Sequence, residues 1–234
     1  MAVFVLVHSP SVGPATWRPV ARLLADAGQQ ALVPSLLGVG DGPPPYWTRV
    51  LAAVTGSLAG VSAGQPLVLV VHSNAGVFVP VFVRGLDQPV AQCIFADATI
   101  PALDTASTPM APAEFLSFLA GKAGPDGLLP QWSRWWDEAD TASLFPDPGT
   151  RAAITAEEPR LPLAYYQEEV PAPAGWADRP CAFLQFSPGY AEPAGQARRL
   201  GWPVRTVPGD HLHQVVDPGT VARALLDLAG QPRP

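Results

Sequence analysis

The sequence predicts an α/β fold, a mostly parallel sheet flanked by helices within a single domain. Three observations predict it. Short continuous apolar runs alternate with longer amphipathic segments along the chain. Most of these runs lack the apolar–polar alternation of a half-exposed sheet, as expected of parallel strands covered on both faces. The residues with chemistry to offer, all four histidines among them, collect just beyond the ends of the runs.

The predicted strands are Val3–Val7, Ala31–Pro34, Leu67–Val71, Cys93–Ala96, Ala182–Phe186 and Val204–Val207. Between them lie helix candidates at Trp17–Ala27, Trp47–Ala59, Ala75–Arg84, Ala191–Leu200 and Pro218–Leu228. This β-α-β alternation implies a parallel sheet with right-handed crossovers. Prolines such as Pro34, Pro66 and Pro208 punctuate segment ends and mark turns rather than a linker. One stretch breaks the rhythm: residues 102–176 show helix-like pieces and a tryptophan cluster but no strand signal. The expectation is a core of 1–101 and 177–234 with a helical cap or lid inserted at 102–176. Trp132, Trp135 and Trp136 either line the space beneath that cap or anchor it to the body, since i, i+3 spacing is an ordinary packing face.

A chain of 234 residues with 48% hydrophobic residues can bury a large core. Its net charge of -6 argues against nucleic acid and anionic membranes as partners. No apolar run approaches the roughly 20 residues that span a bilayer. The opening "MAVFVLVHS" reads as a strand without a basic leader, which makes a cytoplasmic location the expectation. Cys93 and Cys181 both sit in apolar runs and read as buried small hydrophobes. The pair His211 and His213 has no third ligand at metal-site spacing, so no metal site is expected. The partner expected is a small molecule. Oligomeric state is not set by the sequence, and a homodimer is one arrangement it allows.

In open α/β sheets ligands bind beyond the carboxyl ends of the strands. His8 follows the first predicted strand, His72 ends the third, and His211 and His213 follow the last. "VVHSNAG", residues 70–76, places Ser73 between a strand and a helix. Such a turn exposes a serine Oγ and demands small neighbours; Ala75 and Gly76 comply, while Val71 is bulkier than the usual glycine. The geometry would aim the Asn74 N–H at a developing oxyanion. The plainer alternative is a serine N-cap. A strand before, a helix after and a late histidine favour the nucleophile. His211, directly after Gly209-Asp210, is the expected base that takes the Ser73 proton; His213 is the alternative.

The stretches "VLVHSPSVGPATWRPVARLLADAG", "VVHSNAG" and "GDHLHQVVDP" resemble the α/β-hydrolase superfamily in order and spacing over essentially the whole chain. The first and last are most similar to the small branch that includes plant methylesterases and hydroxynitrile lyases. The resemblance implies the α/β-hydrolase fold, a triad of Ser73, His211 and an acid, and an oxyanion hole from the Asn74 N–H and a residue just beyond His8. Two departures follow. Where the family places an aspartate after the penultimate strand, "SPGYAEPAG" offers only Glu192, and Asp97 at the end of "CIFAD" is the second candidate. The residue two beyond the histidine, which commonly donates an oxyanion N–H in the family, is Pro10, and proline has no N–H. A Ser9 or Ser11 group could take over, or Pro10 only shapes the loop.

These residues support three functions. The first is a cofactor-free serine hydrolase of a small ester, thioester or lactone. Trp135, Trp136 and Tyr165 of the cap would then suit a hydrophobic or aromatic substrate. The second is a lyase, cyclase or dehydratase using Ser73 and His211 for acid–base chemistry in secondary metabolism. The third is a ligand receptor without catalysis, because fold alone does not settle function.

Overall fold

The structure, a computed structural model, describes residues 2–230. Of the expected core segments, Met1 and residues 231–234 lie outside the described residues. The strands in chain order are β1 (Val3–Val7), β2 (Gln30–Leu32), β3 (Leu67–Ser73), β4 (Val90–Ala98), β5 (Ser107–Pro109), β6 (Glu169–Pro171), β7 (Cys181–Gln185) and β8 (Val204–Thr206). The helices are α1 (Arg18–Asp26), α2 (Trp47–Ser57), α3 (Val79–Gly85), α4 (Ala113–Lys122), α5 (Glu138–Thr141), α6 (Pro148–Thr155), α7 (Leu163–Tyr166), α8 (Ala191–Arg199), α9 (His213–Val216) and α10 (Pro218–Leu228). Among the described residues no helix is long and apolar enough to cross a membrane.

Six strands form one sheet in the order β2-β1-β3-β4-β7-β8, with every pair parallel. The continuous apolar runs serve this sheet because both faces are covered. Val3, Val5, Val7, Leu69, Val71 and Phe95 point into one apolar cluster. Phe4, Leu6, Val70, Ile94, Ala182 and Leu184 point into a second, shared with α1 and α10. The chain leaves β1 toward β2 on one side and returns to β3 on the other. That reversal opens a crevice at the carboxyl ends of β1 and β3, where ligands settle in such sheets. Cys93 and Cys181 are free, buried and opposite each other in the β4–β7 register.

Two local differences from the sequence reading have physical causes. The helix expected from Ala75 begins as a 3-10 turn over Asn74–Phe78, and α3 starts only at Val79. Pro80 has no N–H to donate backward, so it sits in the first turn of α3 rather than inside a longer helix. Residues 102–176, read as strand-free, contain the antiparallel pair β5–β6. Each strand has three residues and carries a proline, too short and too irregular for alternation to show. The pair joins the chain entering this segment to the chain leaving it, and Trp176 Nε1 adds a bond to the Ala102 carbonyl at 2.9 Å.

Candidate active site

Ser73 is the last residue of β3 and has φ 58° and ψ -129°. A non-glycine residue with positive φ is strained, and such strain is held only where the surroundings over-determine it. Here the Thr99 N–H donates to the Ser73 carbonyl at 3.1 Å, tying the turn to the segment after β4. Gly76 permits that approach: a Cβ there would stand 2.0 Å from the Thr99 carbonyl oxygen. Val71 raises no conflict, because it lies flat in the sheet between Val7 and Phe95 with its side chain in the core. The small residue that the turn needs is therefore Gly76.

Asp97 has φ 39° and sits where the β3–β4 register slips, His72 facing Ala96 and Ser73 facing Ala98. The slip makes Asp97 the extra residue of a bulge, and bulges re-aim side chains. Its carboxylate, fully buried, accepts the Phe186 N–H at 2.6 Å, the Ser187 N–H at 3.0 Å and the Ser187 hydroxyl at 2.5 Å. It also receives His211 Nδ1 at 3.4 Å. That bond places the proton on Nδ1 and leaves Nε2 as the basic nitrogen of His211.

His211 follows β8 and is held on both ring faces. His72 stacks at 4.5 Å between centroids, and Tyr190 stacks at 4.9 Å with planes 3° apart. His72 Nε2–H also donates to the His211 carbonyl at 2.9 Å. Burial, and then the neighbouring His211, push the His72 pKa well below the usual imidazole range, so His72 acts as a neutral prop. The Ser73 hydroxyl is bonded to the Tyr190 hydroxyl at 3.3 Å. Burial raises the Tyr190 pKa to about 12, which keeps that hydroxyl protonated.

Ser73 and His211 open onto one cavity of about 660 Å³, the size that encloses a small organic ligand. Its walls include Ser9, Asn74, Trp132, Trp135, Tyr166 and Tyr190. Trp135 is buried and donates from Nε1 to the Pro130 carbonyl at 2.8 Å, while Trp136 is 39% exposed and stacks on Phe118 at the mouth. The tryptophans thus both line the space and anchor the segment.

Other candidates lie elsewhere. Glu192, offered by the sequence as the acid, does not reach His211. It stands in the first turn of α8 with its side chain 76% exposed, paired with Arg199 at 3.2 Å. A helix start facing solvent cannot turn a carboxylate back into the cavity. His213 heads α9, packs on Phe186 and tucks under Gly209, where a Cβ would sit 2.1 Å from its Nδ1; it does not line the cavity. His8 is fully buried, accepting the Leu36 N–H on Nε2 at 3.0 Å and donating from Nδ1 to the Ser9 carbonyl at 2.8 Å. Burial lowers its pKa to about 4. Tyr165 is behind the turn rather than in the cavity: its hydroxyl donates to Asn74 Oδ1 at 2.8 Å, while Asn74 Nδ2 donates to the Met110 carbonyl at 2.8 Å. Pro10 occupies the second position of a turn closed by the Val12 N–H on the Ser9 carbonyl at 3.0 Å, a place proline favours. Among the described residues no cluster of three His, Cys, Asp or Glu side chains is placed to hold a metal ion.

The sequence reading missed Tyr190, Ser187 and Tyr166. Tyr190 and Ser187 stand just beyond a strand, the signal that singled out the histidines. Tyr166 lies beside Tyr165 on a four-residue helix, where no periodicity tells which ring faces the cavity.

Comparisons with known proteins agree with this architecture. The model of the Alpha/beta hydrolase family matches residues 4–224. No protein of curated function matches by sequence. Among solved structures, an extracellular alpha/beta-hydrolase from a Paenibacillus species, described as sharing structural and functional homology with tobacco salicylic acid binding protein 2, aligns with a TM-score of 0.75 and 17% identity over 97% of this chain and 99% of that one. Polyneuridine aldehyde esterase aligns with a TM-score of 0.72 and 15% identity over 98% and 99% of the two chains. A point mutant of tomato methylketone synthase I gives 0.72 and 18% over 98% of each. At these identities the structural likeness speaks for the fold, and the family model for membership. The chain belongs to the alpha/beta hydrolase family and is, at the level that membership reaches, an enzyme of the hydrolase type.

Proposed function

We propose that the protein is a cofactor-independent serine hydrolase acting on a small hydrophobic or aromatic ester, thioester or lactone. The observation that carries this reading is a strained Ser73 opening onto the same cavity as His211, with His211 held from behind by buried Asp97. Ser73 Oγ attacks the substrate carbonyl carbon and its proton passes to His211 Nε2. Asp97 fixes the tautomer and stabilises the imidazolium that forms. The Asn74 N–H faces the developing oxyanion. His211 then protonates the leaving group, and a water deprotonated by the same nitrogen releases the acyl group from Ser73. In the resting structure the Ser73 hydroxyl bonds Tyr190 rather than His211, so attack requires the hydroxyl to rotate; catalytic bonds are often loose before substrate arrives. Aromatic walls fit the substrate class. The test is labelling with a fluorophosphonate probe: Ser73 of the wild type should be modified, and Ser73→Ala should be neither labelled nor active on p-nitrophenyl acetate.

The same bond between Ser73 and Tyr190 supports a second reading, a lyase, cyclase or dehydratase in which the site exchanges protons without an acyl-enzyme. Mass spectrometry of the quenched reaction separates the two. An acyl adduct on Ser73 eliminates the second reading.

A further inference from the structure

We propose that the Tyr190 hydroxyl is the oxyanion hydrogen-bond donor that the loop after β1 does not supply. The proposal rests on Ser73 as the nucleophile. Two donors ordinarily face the charge that develops on an attacked carbonyl oxygen, and removing one slows acyl transfer by about 10²–10³-fold. In this chain Asn74 offers one N–H. The resemblance to the α/β-hydrolases implies the second at position 10, where this chain has Pro10 and so no N–H. The hydroxyls in that loop are weak substitutes. Ser11 is engaged with Tyr166, and Ser9 points its hydroxyl toward Ser11 at 3.4 Å.

Tyr190 stands beside the nucleophile and the base. Its hydroxyl is 3.3 Å from Ser73 Oγ and it lines the cavity. The oxyanion forms on the carbon that bonds to Oγ, so a donor one hydrogen bond from Oγ meets that oxygen when the carbonyl enters with its oxygen turned toward Tyr190. The ring is pre-positioned. It lies parallel to His211, and it ends a 3-10 turn, Pro188–Tyr190, that begins at Ser187. Ser187 gives both its N–H and its hydroxyl to Asp97. One buried carboxylate therefore orients the base and fixes the turn that carries the donor. Fixed donors avoid reorganisation when charge develops.

The step balances without any further reactant. The Oγ–C bond forms, the carbonyl π pair moves onto oxygen, and the Ser73 proton goes to His211 Nε2. Tyr190 keeps its proton throughout and lends only a hydrogen bond. When the intermediate collapses, the carbonyl re-forms and the leaving group departs with the proton held on His211.

The experiment compares wild type, Tyr190→Phe, Ser9→Ala and Ser73→Ala on p-nitrophenyl acetate, with inhibition by a trifluoromethyl ketone that adds to a serine as a hemiketal. Phenylalanine keeps the ring on His211 and removes only the hydroxyl. The expected result is a fall in kcat of about 10²-fold or more for Tyr190→Phe, with KM within about threefold and hemiketal affinity lowered in step with kcat/KM. Ser9→Ala should change kcat by less than about tenfold. Thermal melting checks the fold. Should Tyr190→Phe melt early, 3-fluorotyrosine at position 190 serves instead, and kcat should shift with the acidity of the phenol. Tyr190→Phe within about threefold of wild type in both kcat and hemiketal affinity, beside an inactive Ser73→Ala, overturns the proposal and leaves Ser73 as nucleophile. Full activity in Ser73→Ala overturns the nucleophile and the donor together.

Discussion

Asp97 Oδ2 and His211 Nδ1 meet at 3.4 Å although 114 residues separate them in the chain. The contact exists because a bulge turns Asp97 inward at the end of β4 while the loop after β8 brings His211 across the sheet. Asp97→Asn keeps the shape but presents an amide to His211, which favours the wrong tautomer. The expected outcome is a loss in kcat of about 10³–10⁴-fold with little change in KM. Glu192→Gln, on the exposed face of α8, should leave both constants unchanged. Steady-state kinetics of the two variants check this, and a severe loss in the Glu192 variant alone would reverse the assignment.

Gly76 carries the close approach that holds the Ser73 turn. In Gly76→Ala the new methyl meets a backbone oxygen at 2.0 Å, and backbone cannot swing aside as a side chain can. The variant should lose about 1–3 kcal/mol of stability, as over-packed sites do, and most of its activity because Ser73 shifts. Chemical denaturation and the rate of fluorophosphonate labelling measure the two effects separately. A variant that matches wild type in both would show that the turn adjusts freely.

The sheet is legible in the sequence because parallel strands buried on both faces leave continuous apolar runs, and all six expected strands are present within a few residues of their predicted bounds. Ser73 and His211 are legible because they stand at strand ends. Asp97 reads as a weaker acid candidate than Glu192 because a bulge leaves no periodic mark, and without the bulge Asp97 would point along the alternation of β4. Tyr190 shares the strand-end position of the histidines, but a tyrosine in a loop after a strand is equally at home as a packing residue, so that position alone does not single it out. The swap of Tyr165 for Tyr166 as cavity wall has a similar origin: adjacent residues on one short turn face different ways, and only tertiary packing decides which.

Acid should destabilise the protein between about pH 6.5 and 4. His8 is neutral in the fold, with its pKa lowered from 6.5 to about 4 by burial. In that window the unfolded chain binds a proton that the folded one does not, so stability rises with pH and is lost as pH falls. The His8 shift corresponds to a change on the order of 3 kcal/mol across the window. His72, shifted in the same direction, adds to it. Denaturant midpoints measured against pH should slope downward below pH 6.5, and His8→Gln should flatten that slope while lowering stability at pH 8. An unchanged slope in the variant would assign the acid sensitivity to other groups.

Among the described residues, the carboxylates that line the cavity are Asp140 and Asp210, both exposed, and no lysine or arginine lines it. A substrate carrying a carboxylate should therefore be repelled at the mouth, and the acid product of hydrolysis should leave readily. Exposed charges interact weakly, by about 0.2–1 kcal/mol each, and are screened by salt. A neutral aromatic ester should accordingly show a KM about two- to tenfold below that of the same ester bearing a remote carboxylate. The gap should shrink at about 0.5 M salt, where the Debye length falls to a few ångströms. It should shrink also in the double variant Asp140→Asn with Asp210→Asn. A preference for the anionic ester that persists in high salt would show that a cation outside this lining reaches the bound substrate.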